Sequence, residues 1–155
     1  MPKIDIDSLP VEAVVNYPDP FHKPLEGRSR RRLGNAVGLS QFGVNLTTLT
    51  PGAWSSQRHW HRNEDEFVYV LSGELTLVEN HGETVLRPGD AAGWKADGGN
   101  GHCLINRGHR DAVYLEVGTR QPHDTVVYSD IDMRLERDAT GARYLHKTGE
   151  PYPRR

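Results

Sequence analysis

The sequence predicts an all-β fold, a sandwich or barrel built from short strands. The 16 glycines and 10 prolines fall between short runs rich in Val, Leu, Thr and Tyr. Such regular punctuation is typical of sandwiches and barrels. Apolar stripes at helical spacing are nearly absent. Several runs are apolar on both parities: in EFVYVL, Phe67, Tyr69 and Leu71 lie opposite Val68 and Val70. A sheet with one wet face alternates more cleanly, so both faces here need cover. The barrel interior covers one face. A terminal arm or a second subunit covers the other, and a homodimer is expected on that ground.

Residues 1–40 read as an irregular arm, because Pro2, Pro10, Pro18, Pro20 and Pro24 leave little room for a helix. A helical turn over Val11 to Val15 is the single exception. Strands begin at Phe42 and run to the turn signal Pro51-Gly52. Further strands are predicted over 53–61, 66–73 and 74–80. Asn80-His81-Gly82 then reads as a hairpin turn into 83–90. A strand over 91–96, a loop over 97–101 and strands over 102–108, 111–120 and 124–130 complete the series. From Asp132 a last strand or short helix is expected, followed by the polar tail TGEPYPRR. The implied division is an arm over 1–40, a barrel over 41–130 and a C-terminal extension over 131–155.

A length of 155 residues suits one domain with a proper core. The net charge of -2 argues against a general nucleic-acid or membrane-surface binder. The basic run Arg28 to Arg32 (RSRRR) reads as a solvated arm rather than a phosphate or RNA contact. With Cys103 as the one cysteine, no intrachain disulfide can form. No apolar run has the length of a membrane span, and MPKIDIDSLP lacks a secretory pattern. A cytoplasmic location is the default expectation.

The chemistry concentrates in HWHRNEDEFVYV, which starts at residue 59. Side chains alternate along a strand, so His59 and His61 share a face. Arg62 to Asp65 reads as a turn that reverses the chain, and Glu66 then opens the next strand facing back. A carboxylate among apolar neighbours is expensive unless something neutralises it, and a bound cation does so. Imidazoles with a carboxylate suit a divalent transition metal (Fe, Mn, Ni, Cu or Zn) rather than calcium.

At these residues the chain resembles the cupin superfamily. Gly52, His59-Trp60-His61, four residues, Glu66, six residues and Gly73 match the first cupin motif. Six residues separate Gly52 from His59, where five are usual. Gly89 after Arg87-Pro88, then His102 and Asn106, match the second motif, although its middle is about two residues longer and lacks the usual proline. The resemblance covers residues 42–119. It implies a small single-domain double-stranded β-helix, or jelly-roll barrel, with a metal near its mouth. It also implies four ligands: His59, His61, Glu66 and His102.

Ser55 and Gln57 share the parity of His59 and are candidate substrate contacts, as is Trp94. Trp60 points opposite to the histidines and reads as packing. Cys103 reads as a small core residue, Tyr69 and Tyr114 as packing residues, and His81, His109 and His123 as solvated. Glu64 and Asp65 read as exposed turn acids. The resemblance implies a metal-dependent enzyme on a small polar metabolite, with oxygenase or oxidoreductase chemistry favoured and Glu66 also accepting a proton. A sugar-phosphate or keto-acid isomerase or lyase is the alternative, and a non-catalytic small-molecule binder the third reading.

Overall fold

The computed structural model describes residues 2–155. Twelve strands follow one another: β1 (Arg28–Arg32), β2 (Phe42–Leu49), β3 (His59–His61), β4 (Glu66–Ser72), β5 (Leu75–Glu79), β6 (Gly82–Leu86), β7 (Ala91–Trp94), β8 (Cys103–Ile105), β9 (Ala112–Thr119), β10 (Asp124–Tyr128), β11 (Arg134–Asp138) and β12 (Gly141–Leu145). One short helix, α1 (Leu33–Ala36), follows β1. The all-β prediction holds. No described helix is long and apolar enough to cross a membrane.

The strands form a five-stranded sheet ordered β1-β2-β9-β4-β7, a four-stranded sheet β12-β11-β10-β3 and a three-stranded sheet β6-β5-β8. A bridge between His59 and His102, and another between Trp54 and Ile105, join the two smaller sheets into one wall. Apolar side chains fill the space between that wall and the large sheet. Val68 and Val70 of β4, Leu75 and Leu77 of β5, and Leu104 of β8 are all buried there. A second cluster forms where Tyr17 and Leu25 of the N-terminal arm pack on Val126 and Tyr128 of β10.

The corners of the barrel depend on particular backbone geometry. The β4–β9 register shifts between Val70 and Ser72, and Gly73 follows at φ 72°. A Cβ on Gly73 would lie 2.6 Å from the carbonyl oxygen of Asp111. Left-handed φ and that close approach both require glycine here. The hairpin expected at Asn80 is present, with Glu79 paired to Gly82.

Several elements differ from the sequence-based expectation. Val11 to Val15 holds no helix; the arm's 3-10 turns lie at Ile6–Ser8 and Lys23–Leu25. The basic run is a strand rather than a solvated arm. Arg28, Arg30 and Arg32 pair with Leu49, Thr47 and Asn45 of β2, so alternation puts these three on the cavity side, with Arg28 and Arg30 half-buried and Arg32 exposed. The strand expected over 53–61 is regular only at His59–His61. Residues 62–65 do not close a hairpin: β3 pairs with β10, whereas β4 pairs with β7 and β9. They form a corner between two sheets. The C-terminal residues extend the sheet of β10 through the β11–β12 pair.

Candidate metal centre

The large sheet and the wall opposite it each contribute donors to one point. Glu66 opens β4 on the five-stranded sheet, and His59 and His61 lie on β3 across the interior. His59 and His102 exchange backbone hydrogen bonds at 3.1 and 2.9 Å. Residues directly opposite in this way present their side chains on one face. His59, His61 and Glu66 place donor atoms within 4.8 Å of one another. His102 joins them through Glu66, with its Nε2 2.6 Å from Oε2.

The imidazole orientations are fixed from behind. His59 Nδ1 lies 2.9 Å from the Gln57 carbonyl, and His102 Nδ1 lies 3.1 Å from the Asn100 carbonyl. His61 Nδ1 lies 2.6 Å from Oδ2 of Asp124, which is buried. Each of these oxygens can only accept, so each Nδ1 carries the hydrogen. Every Nε2 of a neutral ring then aims a lone pair at Glu66, at 3.4 Å from His59, 3.2 Å from His61 and 2.6 Å from His102. Acceptors facing acceptors repel unless positive charge lies between them. A divalent cation or an imidazolium supplies it, and three imidazoles with one carboxylate fit a divalent transition ion.

The electrostatics follow from this geometry. Burial acts to lower His61, but its bonds to Asp124 and Glu66 outweigh it and push the group up to about 10. Burial acts to raise Glu66, yet the three imidazoles hold it well below the usual carboxylate range. Burial dominates at His102 and lowers it. Asp124 is held below its ordinary value despite burial, chiefly by His61.

The surrounding residues divide into those the pattern anticipates and those it misses. Trp94, a candidate substrate contact, stacks on His102 with ring centroids 3.7 Å apart and planes at 6°. Its Nε1 donates to Glu79 at 2.9 Å, so the indole steadies His102. Ser55 does line the large cavity, although its hydroxyl accepts from the Leu104 amide at 2.8 Å. Gln57 turns its amide away to the Phe21 carbonyl at 2.8 Å and anchors the arm. Glu64 is not an exposed turn acid: it is buried and bonded to Arg137 and the Gln121 amide. Cys103 is a buried free thiol pushed up to about 12 by burial, as befits a core residue. His81, His109 and His123 are exposed as expected. Asp124 was missed, although it opens DTVVY as Glu66 opens EFVYV. That acid-then-apolar pattern was the available signal.

Two cavities meet at the donors. The larger, about 440 Å³, is lined by His59, His61, Glu66 and His102, and runs toward Arg28 and Arg30 of β1. The smaller, about 170 Å³, is bounded by His61, Glu66, Trp94, Lys95 and His102.

Comparison with known proteins agrees with this architecture. A cupin domain model matches residues 45–118. No curated protein matches the sequence. Among solved structures, a cupin-superfamily sugar phosphate isomerase from Silicibacter pomeroyi DSS-3 is 47% identical, with 98% of this chain and 97% of that chain covered at a TM-score of 0.95. A protein from Acidithiobacillus ferrooxidans ATCC 23270, provisionally named a sugar phosphate isomerase, is 33% identical over 83% of this chain and 81% of that chain, with a TM-score of 0.74. A polyketide cyclase from Streptomyces resistomycificus shares the fold at 19% identity and a TM-score of 0.65, covering 78% of this chain and 80% of that chain. With two facing walls, donors at the motif positions and near full-length similarity to the Silicibacter protein, this chain belongs to the cupin superfamily.

Proposed function

We propose that this protein is a metal-dependent isomerase of a sugar phosphate or a closely related small anion, with His59, His61, Glu66 and His102 as the metal ligands. The observation that carries this reading is the convergence of three Nε2 atoms on the Glu66 carboxylate in the wall of the large cavity. The ligand set alone suggests oxygenase chemistry first. The names of the 47% and 33% identical relatives support the isomerase instead.

A bound divalent ion would supply Lewis acidity to a substrate carbonyl or hydroxyl oxygen. The chain's own groups carry the rest. Glu66 is ionised, and it takes the proton from the hydroxyl-bearing carbon beside the carbonyl and returns it to the former carbonyl carbon, while the proton of that hydroxyl passes to the former carbonyl oxygen. Asp124 and the carbonyls of Gln57 and Asn100 hold the three rings in the tautomer that keeps Nε2 free. The Trp94 ring covers one face of His102 and keeps water from it.

The test combines metal analysis, oxygen uptake and NMR observation of aldose–ketose exchange in a panel of sugar phosphates. Exchange that needs the metal and consumes no oxygen is expected. His59→Ala and His102→Ala are expected to lose most bound metal while keeping the barrel fold by circular dichroism. Unchanged metal content in both variants overturns the ligand assignment. Substrate-dependent oxygen uptake replaces the isomerase with the oxygenase. The exposed apolar face of β4 supports one further proposal, that the protein works as a homodimer.

A further inference from the structure

We propose that Arg28 and Arg30, with the Tyr114 hydroxyl, form the subsite that holds the oxyanion of the substrate, a phosphate or a carboxylate, at the far end of the large cavity from Glu66. This rests on the reading that the cavity takes the substrate. It goes beyond that reading by assigning the anion to β1, a strand outside the stretch that the cupin domain model matches.

Both arginines line the same cavity as the four donors. Arg28 donates to the carbonyls of Ser55 at 2.8 Å and Val14 at 3.4 Å. Among the described residues, no carboxylate lies within ion-pair distance of it. A guanidinium has five N–H donors in a planar fork, so most of its capacity is open. Arg30 meets one carboxylate, Glu116, at 3.5 Å. Glu116 is itself shared, accepting from Asn45 and Thr47 at 3.1 Å each. Two cations against one divided anion leave positive charge in a partly buried place, which is costly until an anion arrives. Burial, and then repulsion from Arg30, lower Arg28 from its ordinary value, in keeping with that shortfall.

Of the other cavity-lining arginines, two are paired with carboxylates and the third is held by neutral oxygens at the α1 end of the arm. Arg32 pairs with Glu12 at 2.7 Å, Arg137 bonds Glu64, and Arg120 bonds Asn35 and the Leu39 carbonyl. Tyr114 supplies the independent observation. Its ring is 1% exposed, and its hydroxyl approaches the Thr47 hydroxyl but makes no well-formed hydrogen bond. The Thr47 hydroxyl on the strand beside it already donates to Glu116. A buried hydroxyl without a well-formed hydrogen bond is unfavourable, and a phosphate or carboxylate oxygen would accept its proton. A guanidinium fork plus a phenol is a donor set that oxyanions select.

The experiment is calorimetric titration of the metal-loaded protein with inorganic phosphate and, separately, with acetate. Saturable binding is expected. Arg28→Gln and Arg30→Gln should each weaken it about tenfold or more, and Tyr114→Phe by less. Arg107→Gln, an exposed control paired with Glu83, should stay within about twofold of wild type. Arg28→Lys keeps the charge but loses the fork, and should fall between wild type and Arg28→Gln. Tighter phosphate than acetate identifies a phosphate ester, and the reverse a carboxylate. No saturable binding of either ion by the wild type overturns the subsite, whether or not a variant folds. So does equal binding by wild type, Arg28→Gln and Arg30→Gln, the result expected if phosphate sat on the metal alone. Metal content measured on the same samples separates the two failures, because the arginine variants should retain full metal.

Discussion

Asp124 governs His61 from the side away from the cavity. Its Oδ2 takes the Nδ1 hydrogen at 2.6 Å, while its Oδ1 takes the Asn63 amide at 3.0 Å. Asp124→Asn keeps the shape but removes the charge and is expected to lower metal affinity about 10–100-fold, measured by competition with a chelating dye. A different carboxylate, Asp130, makes a small contribution to the pH dependence of stability. Arg58 reaches Asp130 through two hydrogen bonds, at 2.9 and 2.7 Å, and that contact depresses the Asp130 pKa. A depressed carboxyl pKa stabilises the fold above the unfolded-state value and loses that contribution as pH falls through the folded-state value. Asp130 is 60% exposed, so solvent screening keeps the effect small. Asp130→Asn should therefore be less stable than wild type by about 0.5 kcal/mol at neutral pH. Urea melts should show that gap closing below about pH 4. At this scale much was legible in the sequence. His59, His61 and Glu66 lie within eight consecutive residues, and strand parity puts both histidines on one face. Asp124 carries the same acid-then-apolar signal as Glu66, but its partnership with His61 is not legible, because 63 residues separate the two and the pairing of β10 with β3 is non-local.

Among the elements, alternation revealed which side chains share a face but not which strands pair. The expected β3–β4 hairpin is a corner between sheets for that reason: either pairing satisfies the same apolar pattern. The run RSRRR misled through composition. Arginine is common on solvated arms, yet β1 finds five consecutive β2 residues, Asn45 to Leu49, to dock against, and long side chains can lie along a cavity wall. The C-terminal β11–β12 pair was half anticipated, since a strand was one of two readings of that stretch. Gly73, by contrast, was correctly singled out as a motif position, and the structure supplies the reason. Gly73→Ala would force a Cβ to 2.6 Å from a backbone oxygen at a left-handed φ of 72°. It is expected to destabilise the fold by about 1–3 kcal/mol in urea unfolding, with metal content unchanged per folded molecule.

The whole molecule leaves one sheet face uncovered. Phe67, Tyr69 and Leu71 project from β4 at 44%, 40% and 47% exposure, and Phe42 on β2 at 40%. The N-terminal arm packs on β10 and, through β1 and α1, along β2, and it leaves these side chains of β4 exposed. Sedimentation should give a dimer at micromolar concentration. Phe67→Lys with Leu71→Lys should give a folded monomer, and a monomeric wild type would end the proposal. The donors also straddle the barrel, Glu66 on one wall and the histidines on the other. A cation held by both acts as a rivet through the shell, fastening halves that are otherwise joined at the chain's corners and by packing of their side chains. Heat resistance should then track the free ion: at 100 times the dissociation constant the fold gains about 2.7 kcal/mol. Melting curves recorded across a metal series should climb steadily, and flatten when the rivet's head, Glu66, is cut to alanine.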